Sequence, residues 1–318
     1  SCTVTGSVTW LAWVPSLTHG GHNDMYRYFS LFSGIGGFEL GIGNRAECVG
    51  FSEIDTHAVT VFERHFPEHR NFGDITAVNP ADLPDFDLLV GGFPCQAFSI
   101  AGKQQGFADP RGALFFDVLR LLDAKRPQLF LLENVKGLLG HQQGATFKAI
   151  ISALDELGYD LQWQVLNSKD YGVPQNRERI FIIGHLGGTA RPEVFPLAPR
   201  YQEGDGHPRH HANTLTTMYH KWVTAGTYVL EGKTDGLIPR VRRFTPMECE
   251  RLQGFPDRWT EGIRDAERYR CLGNAVTVNV IDAITDRLLP TKPRLGGVLF
   301  ILISTKKLLI ISKASFAH

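Results

Sequence analysis

The chain passes from an apolar run into a glycine-rich turn in the stretch Arg27-Tyr28-Phe29-Ser30-Leu31-Phe32-Ser33-Gly34-Ile35-Gly36-Gly37. The apolar part at 27–32 predicts a first β-strand, and a helix is predicted from Phe38 onward. A glycine-rich turn between a strand and a helix lets backbone N–H groups approach a ligand closely. An ordinary tight turn has the same composition, so this turn alone does not identify a ligand site.

Strands and helices alternate through the first part of the chain. Further strands are predicted at 48–53, 87–90, 129–132 and 180–183, and helices at 58–65, 114–122 and 147–157. This alternation is typical of parallel crossovers in an open α/β sheet. Residues 186–240 are rich in Gly, Pro, His and Thr, and helices are predicted again at 246–252 and 276–289. The pattern predicts a large α/β domain with a small irregular unit.

The bulk composition narrows the class of protein. The 318 residues contain 33 Lys and Arg against 33 Asp and Glu, so the net charge gives no global sign of nucleic-acid binding. Five cysteines without a C-x-x-C pair indicate reduced intracellular thiols, with neither a disulfide framework nor a zinc site. No apolar stretch is long enough to cross a membrane. Residues 1–24 and 294–318 are predicted to be non-native or disordered tails.

Two acidic residues suit a nucleoside cofactor near the glycine-rich turn. Glu53 ends the second strand, where an acid can accept hydrogen bonds from ribose hydroxyls. Asp74 follows Phe72-Gly73, where an acidic group could touch an adenine ring. The alternative interpretation is a plain tight turn and two capping acids.

The strand at 87–90 leads into Gly91-Gly92-Phe93-Pro94-Cys95-Gln96. Ligands of open α/β sheets lie at the carboxyl ends of strands, so Cys95 is a candidate nucleophile. Gly102, Gly106 and Gly112 follow, together with basic residues, as in a mobile loop that closes over a polyanion. A buried, inert thiol is the alternative for Cys95.

Two later segments carry candidate polar groups. The strand at 129–132 runs into Glu133, which would face the same crevice as Cys95. Arg177 and Arg179 stand two residues apart before the strand at 180–183, so they point to one side if the chain is extended. Either guanidinium could reach a base oxygen or a phosphate. A capping acid and a salt-bridged surface edge are the alternatives.

Six motifs in one order resemble the DNA cytosine-5 methyltransferase family over residues 28–289. They are Phe32-Ser33-Gly34-Ile35-Gly36-Gly37, Pro94-Cys95-Gln96, Glu133-Asn134-Val135, Gln175-x-Arg177-x-Arg179, Arg251-Leu252-Gln253-Gly254-Phe255-Pro256 and Gly273-Asn274-Ala275-Val276. The resemblance implies a Rossmann-like sheet of the S-adenosylmethionine-dependent methyltransferases with a small target-recognition domain. It places the catalytic and cofactor-binding domain at 25–185, the recognition domain at 186–261 and a returning C-terminal part at 262–293.

The resemblance also assigns roles. Cys95 would attack cytosine carbon 6, Glu133 would share a proton with N3, and Arg179, supported by Arg177, would bind O2, with no metal. Residues expected to line the S-adenosylmethionine site are Phe32, Gly34, Gly36, Glu53, Asp74, Ile75, Phe93 and Asn274.

Double-stranded DNA is the expected partner, with the target base flipped out of the helix. The loop residues expected to contact DNA are Gln96, Ser99, Lys103 and Arg111, and those in the recognition domain are Thr214, Thr216, Arg240 and Arg242. Ala101 stands where many relatives carry a small hydroxyl residue. The resemblance implies a monomeric, cytoplasmic enzyme of a bacterial cell or a phage-infected host. A cognate restriction endonuclease would be a functional rather than a physical partner.

Two alternatives stay open at this point. A tRNA cytosine-5 methyltransferase would share these motifs, and the small domain carries no motif that separates RNA from DNA. A non-catalytic DNA-binding module could retain the fold, although Cys95, Glu133 and Arg179 argue against it. An NAD dehydrogenase explains none of the motifs after Gly92.

Overall fold

The computed structural model describes residues 25–94, 110–188, 192–200, 211–221, 227–231, 240–289, 302–304 and 307–309. The strands are β1 Tyr26–Leu31, β2 Ala46–Ser52, β3 Leu88–Gly92, β4 Leu129–Val135, β5 Tyr159–Asn167, β6 Gln175–Asn176, β7 Glu178–Leu186, β8 Ala212–Asn213, β9 Val229–Glu231, β10 Arg240–Arg242, β11 Leu302–Ser304 and β12 Lys307–Leu309. The helices are α1 Gly37–Ile42, α2 Thr56–His65, α3 Pro110–Lys125, α4 Ala145–Glu156, α5 Pro246–Leu252, α6 Asp265–Asn274 and α7 Val278–Leu288.

Six strands form the central sheet in the order β2-β1-β3-β4-β7-β5. The pairs β1–β2, β1–β3 and β3–β4 are parallel, as the alternation of strands and helices predicts. The mixed α/β architecture confirms the predicted fold class. Strand β7 runs antiparallel to both β4 and β5. The link between β5 and β7 is too short for the crossover helix that a parallel pair needs.

Strand β5 was absent from the sequence-based prediction. It lies at the edge of the sheet, and its sequence YDLQWQVLN mixes polar with apolar residues. An edge strand buries less of its surface, so it lacks the continuous apolar run of β3 or β7.

Two apolar clusters cover the two faces of the sheet. On one face, Tyr28 of β1 packs with Phe38 of α1 and Ile281 of α7. On the other face, Phe29 packs in a cluster that includes Leu121 of α3 and other residues of α3 and α4. Successive side chains of β1 therefore point to opposite faces, which fixes the strand between two helical layers.

Helix α7 returns to the beginning of the fold. A Cβ atom on Gly41 of α1 would lie 2.6 Å from Cβ of Ile281, so only glycine allows this approach. Arg45 forms a 2.7 Å ion pair with Asp282 beside that contact. Helices α1 and α7 therefore pack together although they lie far apart in the sequence.

Helices α5 and α6 lie between β10 and α7. Helix α5 has the bounds that the sequence predicts, because Pro246 occupies its first turn and Thr245 and Glu248 form a capping box. Helix α6 was missed, since it is rich in charged residues and has a weak apolar face. A third apolar cluster joins both helices to α2 and to Leu215. Across the described ranges no helix is both long and apolar enough to cross a lipid bilayer.

Candidate active site

A cleft opens at the carboxyl ends of β1, β3 and β4. It encloses about 980 Å³ of space between protein atoms, including the part that is open to solvent. Its lining joins the glycine-rich turn, the ends of three strands and the end of α6. The site residues predicted from the sequence that line it are Phe32, Gly34, Glu53, Phe93, Glu133, Arg177, Arg179 and Asn274.

The glycine-rich turn has the backbone that its sequence predicts. Gly34 and Gly36 have φ angles of 57° and 86°, in the left-handed region that glycine adopts without strain. Phe32 also has a positive φ, 50°, which is uncommon for an aromatic residue. Such strain is often found at functional sites, and here it belongs to a side chain on the wall of the cleft.

Glu53 is held against this turn by backbone donors. One carboxylate oxygen accepts the Gly34 N–H at 2.8 Å, and the other accepts the N–H groups of Ile54 and Asp55 at 2.8 Å each. A carboxylate offers about four acceptor positions, so room remains for a ligand hydroxyl. The neighbouring Ile54 side chain is 68% exposed.

Asp74 and Ile75 do not line the cleft in this structure. The Asp74 carboxylate accepts the Thr76 N–H at 2.9 Å, which is the capping role considered as an alternative in the sequence analysis. Ile75 is buried in the apolar cluster with α3 and α4. Asn274, at the end of α6, is exposed and borders the cleft.

Trp259 holds the glycine-rich turn through a hydrogen bond. The sequence alone does not indicate this role. Its indole N–H donates to the Ile35 carbonyl at 2.8 Å. The indole ring stacks on the His65 imidazole, with centroids 3.6 Å apart and planes inclined by 4°. Nothing in the local sequence links residue 259 to residue 35, so only the fold could show this contact.

Glu133 and Arg179 form an ion pair inside the cleft. Arg179 Nε lies 3.0 Å from Glu133 Oε1, with the two side chains 16% and 11% exposed. Burial raises the pKa of Glu133, and the charges of Arg179 and Arg177 oppose that rise. Gly92 leaves space for this carboxylate, because a Cβ there would lie 3.0 Å from Glu133 Oε2. The next residue, Asn134, holds the Phe93 carbonyl with its side-chain amide at 3.1 Å.

Arg177 is buried, with 2% of its surface exposed. Its guanidinium donates to the carbonyls of Leu215 at 3.0 Å, Gly273 at 3.1 Å and Ala275 at 2.8 Å. These bonds tie together three segments that are distant in sequence. The two arginines of the motif thus differ: Arg179 pairs with Glu133, while Arg177 binds backbone carbonyls.

A buried amide network lies below the cleft, and its members were not singled out in the sequence. Gln175 accepts the Leu215 N–H at 2.8 Å and donates to the Leu252 carbonyl at 2.8 Å. Gln253 donates to the Leu272 carbonyl and accepts from the Thr277 hydroxyl, both at 2.8 Å. Gln175 and Gln253 each belong to a motif, which was the available signal. Their function here is to hold the motif segments together.

The predicted DNA contacts are described only in part. Cys95, Gln96, Ser99 and Lys103 lie outside the described residues, as do the side chains of Arg111 and Arg240. The Thr214 hydroxyl donates to the Asn176 carbonyl at 2.8 Å, and Thr216 is exposed. Arg242 forms a two-pronged ion pair with Glu248, at 2.8 and 3.0 Å. Among the described side chains, no three His, Cys, Asp or Glu residues cluster as metal ligands would.

Comparison with known proteins finds similarity over most of the chain. A sequence profile described as C-5 cytosine-specific DNA methylase matches residues 26–205 and 200–289. The Type II methyltransferase M.NlaX of Neisseria lactamica is 39% identical over 307 residues, covering 83% of this chain and 96% of that protein. M.NgoBI of Neisseria gonorrhoeae is 38% identical, covering 86% and 97%.

Solved structures support the fold at lower sequence identity. The Dnmt2 methyltransferase of S. pombe superposes with a TM-score of 0.67 at 21% identity, over 83% of this chain and 98% of that one. Its similarity bears on the fold alone. The family resemblance stated from the six motifs is confirmed by the profile and by the relatives. The chain belongs to the C-5 cytosine-specific DNA methylase family.

Proposed function

We propose that this protein transfers a methyl group from S-adenosylmethionine to carbon 5 of a flipped-out cytosine in a specific duplex DNA sequence. The observation that carries the proposal is the Glu133–Arg179 ion pair, buried in the cleft that also holds the glycine-rich turn and Glu53. N3 and O2 of cytosine are neighbouring acceptors, and each needs a hydrogen-bond donor. The adjacent Glu133 carboxyl group and Arg179 guanidinium match this edge of the base.

The cleft residues fit the cofactor. S-adenosylmethionine, when bound, supplies an electrophilic methyl group. Glu53 retains acceptor capacity for ribose hydroxyls, and the open turn at Gly34 leaves space beside it, since a Cβ there would contact only the Phe32 carbonyl at 4.0 Å. Phe32 and Ile54 offer apolar surface for an adenine ring. Asp74 and Ile75 would join this site only if their segment moved toward the cleft.

In the proposed chemistry, the Cys95 thiolate attacks cytosine carbon 6 and forms a C–S bond. Glu133 delivers a proton toward N3, and Arg179 binds O2, so that carbon 5 becomes enamine-like and accepts the methyl group. A base then removes the carbon-5 proton, the C–S bond breaks to release the thiolate, and N3 returns its proton to Glu133. The products are 5-methylcytosine and S-adenosylhomocysteine. Cys95 directly follows Pro94, which lines the cleft beside Glu133.

The DNA side of the proposal divides the chain by task. Gln96, Ser99, Lys103 and Arg111 would contact DNA where the base leaves the helix. The recognition domain at 186–261 would read the sequence, with the segment Thr214–Thr217 at its base, and residues 25–185 and 262–293 would form the catalytic domain. Arg242 is already paired with Glu248. To contact DNA, Arg242 would have to leave Glu248 or bind DNA while the pair is still formed.

The proposal favours DNA over tRNA and catalysis over simple binding. The matching profile is that of DNA methylases, and the relatives named above are Type II methyltransferases, at 38–39% identity. The ion pair at Glu133 fits a catalytic role better than a binding module that retained the fold. A monomer acting in the cytoplasm of a bacterial cell or a phage-infected host belongs to the same proposal, with a restriction endonuclease as its functional counterpart.

Methyl transfer to defined nucleic acids tests the proposal. Purified protein should methylate unmethylated duplex DNA and not tRNA, and bisulfite sequencing should locate one recurrent sequence context. Cys95→Ser should abolish turnover, whereas the control Cys48→Ser, away from the cleft, should retain it. A 5-fluorocytosine duplex should trap the native protein covalently, because fluorine cannot leave as a proton does. Transfer to tRNA alone, or turnover by Cys95→Ser, would contradict the proposal.

A further inference from the structure

We infer that Arg177 is a positioning residue that couples DNA recognition to cofactor binding, rather than a group that touches the cytosine. The inference rests on the proposed function for the identity of the two ligands. It concerns how their sites communicate, which the activity itself does not require.

Arg177 joins the two sites through hydrogen bonds to backbone atoms. One guanidinium nitrogen donates to the Leu215 carbonyl, inside the recognition segment Thr214–Thr217. The other donates to the carbonyls of Gly273 and Ala275. These two residues flank Asn274, and all three line the cleft. The rigid, planar guanidinium therefore fixes the distance between the recognition segment and these cleft residues, beside which the cofactor is proposed to bind.

The two segments are also in direct contact. A Cβ atom on Gly273 would lie 2.5 Å from the Thr216 carbonyl carbon and from the Thr217 nitrogen. The recognition segment therefore packs on the α6 backbone with no space for a methyl group. Gln175 fixes the same segment from the other side, because its side chain accepts the Leu215 N–H.

The charge of Arg177 acts on the catalytic acid as well. The Arg177 guanidinium lowers the pKa of Glu133 against the effect of burial. A displacement of either bound segment therefore changes the position of a buried cation beside the reacting group. Coupling between two bound ligands is reciprocal. If DNA shifts the recognition segment and thereby changes the affinity for the cofactor, the cofactor must change the affinity for DNA by the same factor.

The test measures this factor directly. Anisotropy of a labelled duplex containing the methylated sequence gives Kd with and without S-adenosylhomocysteine. We expect the native protein to bind DNA about fivefold or more tightly with the cofactor product present. Arg177→Lys keeps the charge, but the lysine ammonium cannot bind all three carbonyls. The ratio of its DNA Kd values without and with S-adenosylhomocysteine should therefore fall to about one. The matched control is Arg287→Lys, because Arg287 also donates to two carbonyls, those of Val194 and Pro196, away from the cleft.

Each outcome decides the matter. The inference is overturned if a folded Arg177→Lys protein has the same Kd ratio as the native protein. It is also overturned if the native protein itself has a ratio of one. Neither result would affect the proposed function, which stands or falls with methyl transfer by the native protein. If Arg177→Lys does not melt cooperatively, Gly273→Ala replaces it, since the added methyl group must separate the two segments. A native ratio in a folded Gly273→Ala protein also overturns the inference.

Discussion

Arg179 reaches Glu133 diagonally across two antiparallel strands. In the register of β4 and β7, Arg179 lies opposite Val135, two positions beyond Glu133 and therefore on the same face. The antiparallel direction of β7 brings the beginning of that strand to the end of β4. A parallel strand would have placed its beginning at the opposite edge of the sheet, far from the cleft.

This pair gives the first prediction. Glu133→Gln preserves the shape of the side chain but removes its acidic proton, so single-turnover methylation should fall about 10²–10⁴-fold. Because burial raises the pKa of Glu133, its protonated form persists closer to neutral pH, and the native rate should decline as pH rises through that pKa. The glutamine variant should lack this decline. A variant with a near-native rate would remove Glu133 from the chemistry.

Cofactor affinity tests Glu53. Glu53→Ala should weaken S-adenosylmethionine binding by about 1.5–3 kcal/mol, the scale of a hydrogen bond to a charged group. Titration calorimetry measures this, and Glu53→Gln, which keeps one acceptor oxygen, should lose less. Asp74→Ala provides the comparison: unchanged affinity would exclude Asp74 from the site, as its position outside the cleft indicates. Native affinity in Glu53→Ala would mean that the ribose is held elsewhere.

Trp259 should affect the cofactor without touching it. Trp259→Phe keeps an aromatic ring against His65 but removes the N–H bond to the Ile35 carbonyl. Losing one neutral hydrogen bond of about 1 kcal/mol should raise KM for S-adenosylmethionine about fivefold, with little change in kcat. Steady-state kinetics at saturating DNA separates the two parameters. A fall in kcat alone would show that the turn does not depend on this bond.

Buried Glu39 should make stability depend on pH. Burial raises the pKa of Glu39 from 4.5 to about 7, with the Ser30 hydroxyl and the Glu39 backbone amide opposing the rise. A raised folded-state pKa means that stability is fully present below pH 4.5 and decreases as pH rises through 7. Glu39→Gln should therefore stabilise the fold by about 3 kcal/mol at pH 8 and little at pH 4.5.

Urea unfolding at the two pH values measures the effect of Glu39→Gln. Glu47→Gln, at an exposed position on the neighbouring strand β2, is the matched control. If Glu39→Gln lowers the free energy of unfolding equally at both pH values, the carboxyl group is needed for packing. In that case its buried charge does not destabilise the fold.

Exchange of the irregular unit tests the division of labour. Replacing residues 186–240 with the equivalent unit of a relative should move the methylated sequence and retain the chemistry, because base reading needs side chains at groove edges. The exchanged unit must keep a backbone segment at the position of Leu215, because the backbone there binds Gln175 and Arg177. Bisulfite sequencing locates the new site. Methylation of the original sequence by the exchanged protein would place recognition in the catalytic domain.

Local patterns in the sequence predict the parallel half of the sheet and the glycine-rich turn, and the family resemblance directs Glu133 and Arg179 toward the same cytosine. Antiparallel β7, edge strand β5 and helix α6 depend on tertiary context, which periodicity does not record. The different partners of Arg177 and Arg179 also lay beyond prediction. Two residues that share one face of an extended chain can still meet different neighbours, here backbone carbonyls and a carboxylate.

The packing of α7 on α1 has a consequence for the order of synthesis. Ile281, which meets Gly41 at that contact, leaves the ribosome some 240 residues later, roughly ten to fifty seconds at ordinary translation rates. Until then the apolar side of α1 is uncovered, and Asn274–Val276 are missing from the cleft. A nascent chain therefore lacks part of the cleft lining, and we expect methylation to begin only after residue 281 has been translated.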